Sequence, residues 1–375
     1  MRIAIDINDA GGVARGGTHF INRLLSVFSR TAPDREFLLF GNAFKDPEKI
    51  RRQFPLPPGR FSYEVKRWPQ RLVAGLEEAG VPLSTGYLAL RGVDVHHDWV
   101  GHAGSGDKVA QVVADLTIIT HPQWNNPARL RYWKGRLKPA ILKARRLMTF
   151  CRATRDELVE QMGISEERIR IVPLGADPAT FKPISDAAAL AAARAKYGLP
   201  ERFVLMVGPI DVICAFAAVV EALKDWPGEP PSVVVVGPVD EYVQGLRRLV
   251  EESGLAESFV WTGYVPHSEL GLLYNLAAAL LHPSLLPGTE MPPYEAMASG
   301  TPVVTSLDET IADAGVLIDA KSPVSIRDGL RRVWEAESVR TSLRSKGLAR
   351  ARDYTWESTA RETLKVYDEI AGANH

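Results

Sequence analysis

Cysteine is nearly missing from this chain of 375 residues: Cys151 and Cys214 are the only two, at unrelated positions. No disulfide framework and no zinc pattern can be read from such a pair, and a reducing compartment is expected. No uninterrupted apolar run approaches the roughly 20 residues that cross a bilayer. The opening Met1-Arg2-Ile3-Ala4-Ile5-Asp6 has too short an apolar stretch for a signal peptide and reads as the first buried strand of a cytoplasmic protein. Net charge is missing too. Its formal value is +0, which removes any global electrostatic argument for nucleic acid as a partner. What remains is a composition of 46% hydrophobic and 24% charged residues, which belongs to folded globular proteins and excludes disorder and fibres. The length leaves room for two domains.

Short β-rich runs alternate with helical patterns in both halves. Residues 2–5 and 36–40 read as strands around a helical pattern at 18–28, and 94–96 and 109–113 are further short apolar runs. The pattern restarts after a helix at 187–196. Runs at 203–207, 232–236, 258–262, 279–282 and 302–305 each precede a loop or helix. Such alternation predicts parallel sheets with right-handed crossovers. Pro173, Pro178 and Pro183 interrupt it, so a boundary is expected near 175–183. This divides the chain into 1–180, 181–355 and a last helix at 356–375.

Three stretches carry chemical signals. Ala10-Gly11-Gly12-Val13-Ala14-Arg15-Gly16-Gly17-Thr18 is a glycine loop before a helix, where backbone N–H groups and the positive helix end suit an anion. Arg15 would add charge there; a turn with a surface arginine explains it about as well. Residues 116–155 hold ten Lys or Arg and no Asp or Glu. Within them Trp133, Leu137, Ile141, Ala144 and Met148 recur at near-helical spacing, and Pro139 would start or kink the helix. A core-facing helix with a solvated basic face accounts for 129–146; the same stripe also fits peripheral contact with the inner face of a membrane. The third stretch, Pro283 to Val304, reads as a strand end, a Gly/Pro loop, a short helix around Glu295 and a turn at Ser299-Gly300 into another strand.

That third stretch, Pro283-Ser284 through Glu295-Ala296-Met297-Ala298-Ser299-Gly300-Thr301-Pro302-Val303-Val304, resembles the donor-sugar loop of the family-4 (group 1) retaining glycosyltransferases. Other segments follow in the family's order: Ile171-Val172-Pro173-Leu174-Gly175-Ala176-Asp177, Val207-Gly208-Pro209-Ile210, Phe259-Val260-Trp261-Thr262-Gly263-Tyr264-Val265, Leu273-Tyr274 and Tyr354-Thr355-Trp356. The resemblance implies a GT-B fold, an α/β architecture of two doubly wound Rossmann-like domains facing across a cleft. The resemblance further implies that the C-terminal helix crosses back to the N-terminal domain. It implies a nucleotide sugar as substrate, an acceptor of unknown kind, and no metal or other cofactor. Nucleotide contacts are carried over to Gly11, Gly12, Arg15, Gly208, Gly263, Tyr264, Val265, Gly288, Thr289, Met291 and the ribose-binding Glu295.

The family's own machinery is altered at three places. Its donor-loop glutamate is Pro287 here, its adjacent Arg-Lys pair is Ile213-Cys214, and the histidine before Asp115 is Ala114. Neither Ile213 nor Cys214 can pair with a phosphate, and a buried helix over 212–222 is the expected setting for both. Asp115 and Glu290 remain as candidate catalytic carboxylates, against a helix cap and a solvated loop side chain respectively. Three functions stay open on these residues. One is a hexosyltransferase with a rebuilt donor site. The second is a silent GT-B protein serving as partner or scaffold of an active transferase. The third is a pseudo-glycosyltransferase with altered chemistry.

Overall fold

The structure, a computed structural model, describes all residues except 9–14, 45, 70–71, 74, 77–80, 82, 100, 102–105, 209, 211–212, 287–290, 308–310 and 373–375, and omits the side chains of 15 and 16. It comprises two compact units, Met1–Pro173 joined by Trp356–His375, and Leu174–Thr355. The chain passes between them at the first of the three prolines.

The first unit holds a parallel sheet of β1 (Arg2–Asp6), β2 (Glu36–Asn42), β3 (Phe61–Lys66), β4 (Val95–Asp98), β5 (Val109–Val112), β6 (Arg146–Thr149) and β7 (Ile169–Ile171). Its order is β3-β2-β1-β4-β5-β6-β7. Strand order reverses between β1 and β4, the position where doubly wound sheets open to ligands. Ile3, Ala4, Ile5 and Phe37 to Phe40 are buried, as strands covered on both faces must be. The helix Trp356–Gly372 packs on the helix Arg15–Thr31 and on β4 to β6. Its stripe of Trp356, Ala360, Thr363, Val366, Tyr367 and Ile370 is buried. Arg146 and Arg170 both donate to Glu369, at 2.9 and 3.0 Å, which anchors the helix end over β6 and β7.

The second unit holds β8 (Val204–Val207), β9 (Val233–Val236), β10 (Phe259–Gly263), β11 (Ala279–His282), β12 (Val303–Thr305) and β13 (Val316–Leu317). The order is β10-β9-β8-β11-β12-β13, with the reversal between β8 and β11. Val204, Met206, Phe216, Val219, Val220, Val233 and Val235 form one side of its core.

The four strands that the sequence pattern does not announce are β3, β6, β7 and β13. The strand β6 shows why. The apolar run from Trp133 to Met148 has one period by inspection but two backbones. A helical stretch covers 127–143, Ala144 turns extended with ψ 144°, and Met148 lies on β6 rather than on a helical stripe. Pro139 does not break the helix, because the turn Trp133–Leu137 is widened, with the Lys138 N–H reaching back to the Trp133 carbonyl. A wider turn makes room for a proline ring that would otherwise strike the carbonyl four residues earlier.

Candidate functional site

In the second unit the ends of three strands are pinned together by glycines. Gly208 follows β8 with φ +131°, a conformation that L side chains rarely adopt, and its N–H donates to the Val236 carbonyl at 3.1 Å. Gly237 follows β9, and its N–H donates to the Gly263 carbonyl at 3.1 Å. A Cβ on Gly237 would lie 2.3 Å from the Gly208 carbonyl oxygen. Gly263 ends β10 with φ +72° and leads to Tyr264, which is 75% exposed, and to buried Val265. The carboxyl ends of β8 to β10 are therefore glycines in close backbone contact, followed on β10 by the exposed Tyr264. Gly237 was missed from sequence. Its signal was weak, a lone glycine after four valines, because only the approach of a second strand gives it meaning.

Next to this edge the expected helix over 212–222 begins only at Phe216. Ile213 and Cys214 lie instead in an antiparallel bridge to the segment after β11. Ala215 N–H donates to the Pro283 carbonyl at 2.9 Å and Leu285 N–H to the Ile213 carbonyl at 2.8 Å. Backbone donors satisfied across the chain have no need of an intrahelical partner, which is why the helix starts late. The same segment is tied by Ser284, whose hydroxyl donates to the Leu286 carbonyl at 2.7 Å, and by Ser306, which donates to the Ser284 carbonyl at 2.6 Å. Pro287, Gly288, Thr289 and Glu290 lie outside the described residues; description resumes at half-buried Met291.

Glu295 sits in the helix Pro292–Ser299, which opens on prolines and closes on Gly300 with φ +78°. It is buried, and the hydroxyl of Tyr274 donates to its Oε2 at 2.9 Å. Burial first, and then the charge of Glu295, push the Tyr274 phenol far above its ordinary range, so it stays a neutral donor. Sequence reasoning named Glu295 but not the side chain that holds it.

The first unit carries the remaining candidates. Gly11 and Gly12 lie outside the described residues; Arg15 is the first residue of the helix Arg15–Thr31. Asp115 follows β5, and its Oδ1 accepts from the Thr117 N–H at 2.9 Å and from the Thr117 hydroxyl. That geometry starts the helix Thr117–Thr120 and accounts for the carboxylate locally. Asp115 has a neighbour that the sequence did not suggest. Burial, with Asp115 and Glu160 as further causes, raises the Glu157 carboxyl above its usual range. Replacing Asp115 by Asn is expected to lower the Glu157 pKa in an NMR titration; an unmoved Glu157 resonance would mean that the two carboxylates do not interact.

The basic segment resolves into two faces. Trp133, Ile141 and Ala144 pack into the core with Leu147, Leu158 and Ile169, while Arg131, Lys134, Lys138, Lys143 and Arg145 are exposed. Its apolar stripe is thus interior, and its outer surface is charge. Among the described residues no helix is long and apolar enough to cross a membrane, and no group of three His, Cys, Asp or Glu side chains could hold a metal ion.

Residues 191–350, which cover the whole of the glycine edge and of the Glu295 helix, match the family model described as glycosyl transferases group 1. That segment belongs to the group 1 glycosyltransferases. The chain is 28% identical over 262 residues to the O-antigen chain mannosyltransferase B of Escherichia coli, with 68% of each chain covered. It is 32% identical over 236 residues to a D-inositol 3-phosphate glycosyltransferase of Nocardioides sp., covering 56% of this chain and 50% of that one. The chain therefore spans about two thirds of the first relative's length and half of the second's. Among solved structures, Anabaena Alr3699/HepE in complex with UDP and glucose superposes with a TM-score of 0.73 at 16% identity, over 98% of this chain and 100% of that one. This likeness establishes the GT-B fold for this chain, with its seven- and six-stranded parallel sheets.

Proposed function

We propose that this protein transfers a hexosyl group from a nucleoside-diphosphate sugar to an acceptor, with retention. The nucleoside would be held at the carboxyl edge of β8 to β11. The observation that carries this reading is Glu295, a carboxylate only 5% exposed and bound by a neutral phenol, at the position that the family resemblance assigns to the ribose. A carboxylate accepting from two vicinal hydroxyls is a charge-assisted anchor. Tyr264, exposed after Gly263, supplies a ring on which a base can stack. The names of the relatives support a hexose donor: one is a mannosyltransferase, and the HepE complex holds UDP and glucose.

The leaving diphosphate gains charge in the transition state, so donors aimed at it matter most. Here that end of the site is rebuilt. The bridge that holds Ile213 and Cys214 presents no cation, which leaves backbone N–H groups and the loop that contains Gly288, Thr289 and Met291 to meet the phosphates. Asp115 and Glu290 are proposed as catalytic carboxylates. The same three departures, Ala114, Ile213-Cys214 and Pro287, favour one second reading: a silent member that binds a partner transferase rather than turning over.

Calorimetry separates the two. Wild type is expected to bind at least one of UDP, GDP, ADP or their sugar conjugates, and Glu295→Gln to weaken that binding by about tenfold, since a hydrogen bond to a charged group contributes about 1.5–3 kcal/mol. A folded wild type that binds none of them would rule out donor binding and leave the partner reading.

A further inference from the structure

The pair of Tyr274 and Glu295 carries more than the presence of an acid. Tyr274 is fully buried and Glu295 nearly so. A buried carboxylate is costly, and an apolar pair of the same volume is often at least as stable. Packing alone would therefore be served by an apolar pair, with phenylalanine at 274 and an aliphatic side chain at 295. What the hydroxyl adds is direction: it fixes Oε2 and with it the plane of the carboxylate.

The supports of Tyr274 are built for that task. Its helix, His267–Leu276, packs on the helix that bears Glu295. Thr301, just past the end of the Glu295 helix, donates its hydroxyl to the Tyr274 carbonyl at 2.7 Å, and its N–H to the Ala296 carbonyl at 2.8 Å. The two helices are thus tied at a second, backbone point. On the other side Phe181 meets the Tyr274 ring edge-on at 5.8 Å and is itself met by His267 at 4.9 Å. Gly271, one turn before Tyr274, has the Thr180 carbonyl 2.3 Å from where a Cβ would stand, so the helix sits directly on the segment that carries Phe181. A ring clamped this way has no rotamer freedom left, and preorganised groups of this kind set the geometry of a site more tightly than a loop can.

We propose that Tyr274 is a positioning residue that orients the Glu295 carboxylate toward the ribose hydroxyls of the bound nucleotide. This rests on the reading of Glu295 as the nucleoside anchor. It predicts a selective effect. The phenol matters only for the ligand groups that Glu295 receives, so its loss is felt by a ribonucleotide and not by the same nucleotide lacking those hydroxyls.

The test is a thermodynamic cycle by calorimetry. The nucleoside diphosphate that wild type binds best among UDP, GDP and ADP is compared with its 2′,3′-dideoxy analogue, on wild type, Tyr274→Phe and Glu295→Gln. The expected result is about a tenfold loss for the ribonucleotide in Tyr274→Phe, within the range for a charge-assisted bond, and less than about twofold for the dideoxy form. Glu295→Gln, which keeps the tyrosine, should show the same selectivity and guards against a Phe variant that folds poorly. Equal losses for both ligands in Tyr274→Phe would assign the tyrosine to packing and overturn the proposal. A wild type that binds both forms equally would remove the ribose contact itself. Failure of wild type to bind any of the three diphosphates would instead overturn the nucleotide reading, and this inference with it.

Discussion

Lowering the pH from 7 to 5 is expected to cost the Met1–Pro173 unit about 4 kcal/mol of stability. The cause is two adjacent histidines on β4, His96 and His97, both fully buried, with pKa values lowered to about 3. Burial is the main cause for each, and for His97 the neighbouring His96 adds to it. Among the described residues neither His96 nitrogen finds a hydrogen-bond partner; its ring meets Phe40 edge-on at 6.2 Å. His97 is met through Nδ1 by the Tyr367 hydroxyl at 2.6 Å, and its Nε2 has no partner among the described residues. Burial holds that phenol well above its ordinary range, so it faces His97 uncharged. Unfolded, both imidazoles titrate near the ordinary 6.5. The unfolded chain thus binds more protons than the folded one between about pH 6.5 and 3. Stability is fully present above that window and falls through it by about 1.4 kcal/mol per pH unit for each histidine, or about 2 kcal/mol each at pH 5. The lowered carboxylates of Glu64 and Glu369 act in a separate range, below their ordinary 4.5. Urea unfolding at pH 7 and pH 5 reads the effect, and His96→Leu should remove about half of it. A denaturation midpoint that does not move between the two pH values would show that the imidazoles are not buried neutral.

Replacing Gly237 by alanine is expected to destabilise the Leu174–Thr355 unit by about 2–3 kcal/mol and to weaken nucleotide binding by more than about tenfold. The added Cβ would meet the Gly208 carbonyl oxygen at 2.3 Å. That atom is backbone at the end of β8, tied in place by the Gly208 N–H to Val236, so it cannot swing aside as a side chain would. The ends of β8 and β9 must part, and Gly263, which accepts from the Gly237 N–H, moves with them. Tyr264 and Val265 follow directly. Gly86 is the control: it lies in the helix Leu83–Leu90 with open space for 4 Å around the position its Cβ would take, so alanine there should stabilise by about 0.5–1 kcal/mol. Thermal melts of the two variants give opposite shifts. A Gly237→Ala protein as stable as wild type would mean that the glycine edge is not close-packed.

Much of this protein is determined by its sequence alone. The strands that are buried on both faces, such as Val204–Val207 and Val233–Val236, declare themselves as apolar runs between turns. The helix Trp356–Gly372 is legible from a stripe at helical spacing, and the helix at Glu295 from the Pro and Gly at its two ends. These are local signals, set by side-chain periodicity and by backbone freedom, and the neighbours of such a segment hardly alter them. The tertiary structure decided what depends on a second segment. It placed Ile213 and Cys214 in a bridge rather than a helix, because the Leu285 N–H donates to the Ile213 carbonyl and the Pro283 carbonyl accepts from the Ala215 N–H. It turned the apolar stripe at 133–144 toward the core, and its continuation at Met148 into a strand. It gave Gly237 its reason in the Gly208 carbonyl, and Glu295 its orientation in the Tyr274 hydroxyl, 21 residues away. A hydrogen bond or a close approach between distant residues leaves no period in the chain, so only the folded molecule can show it.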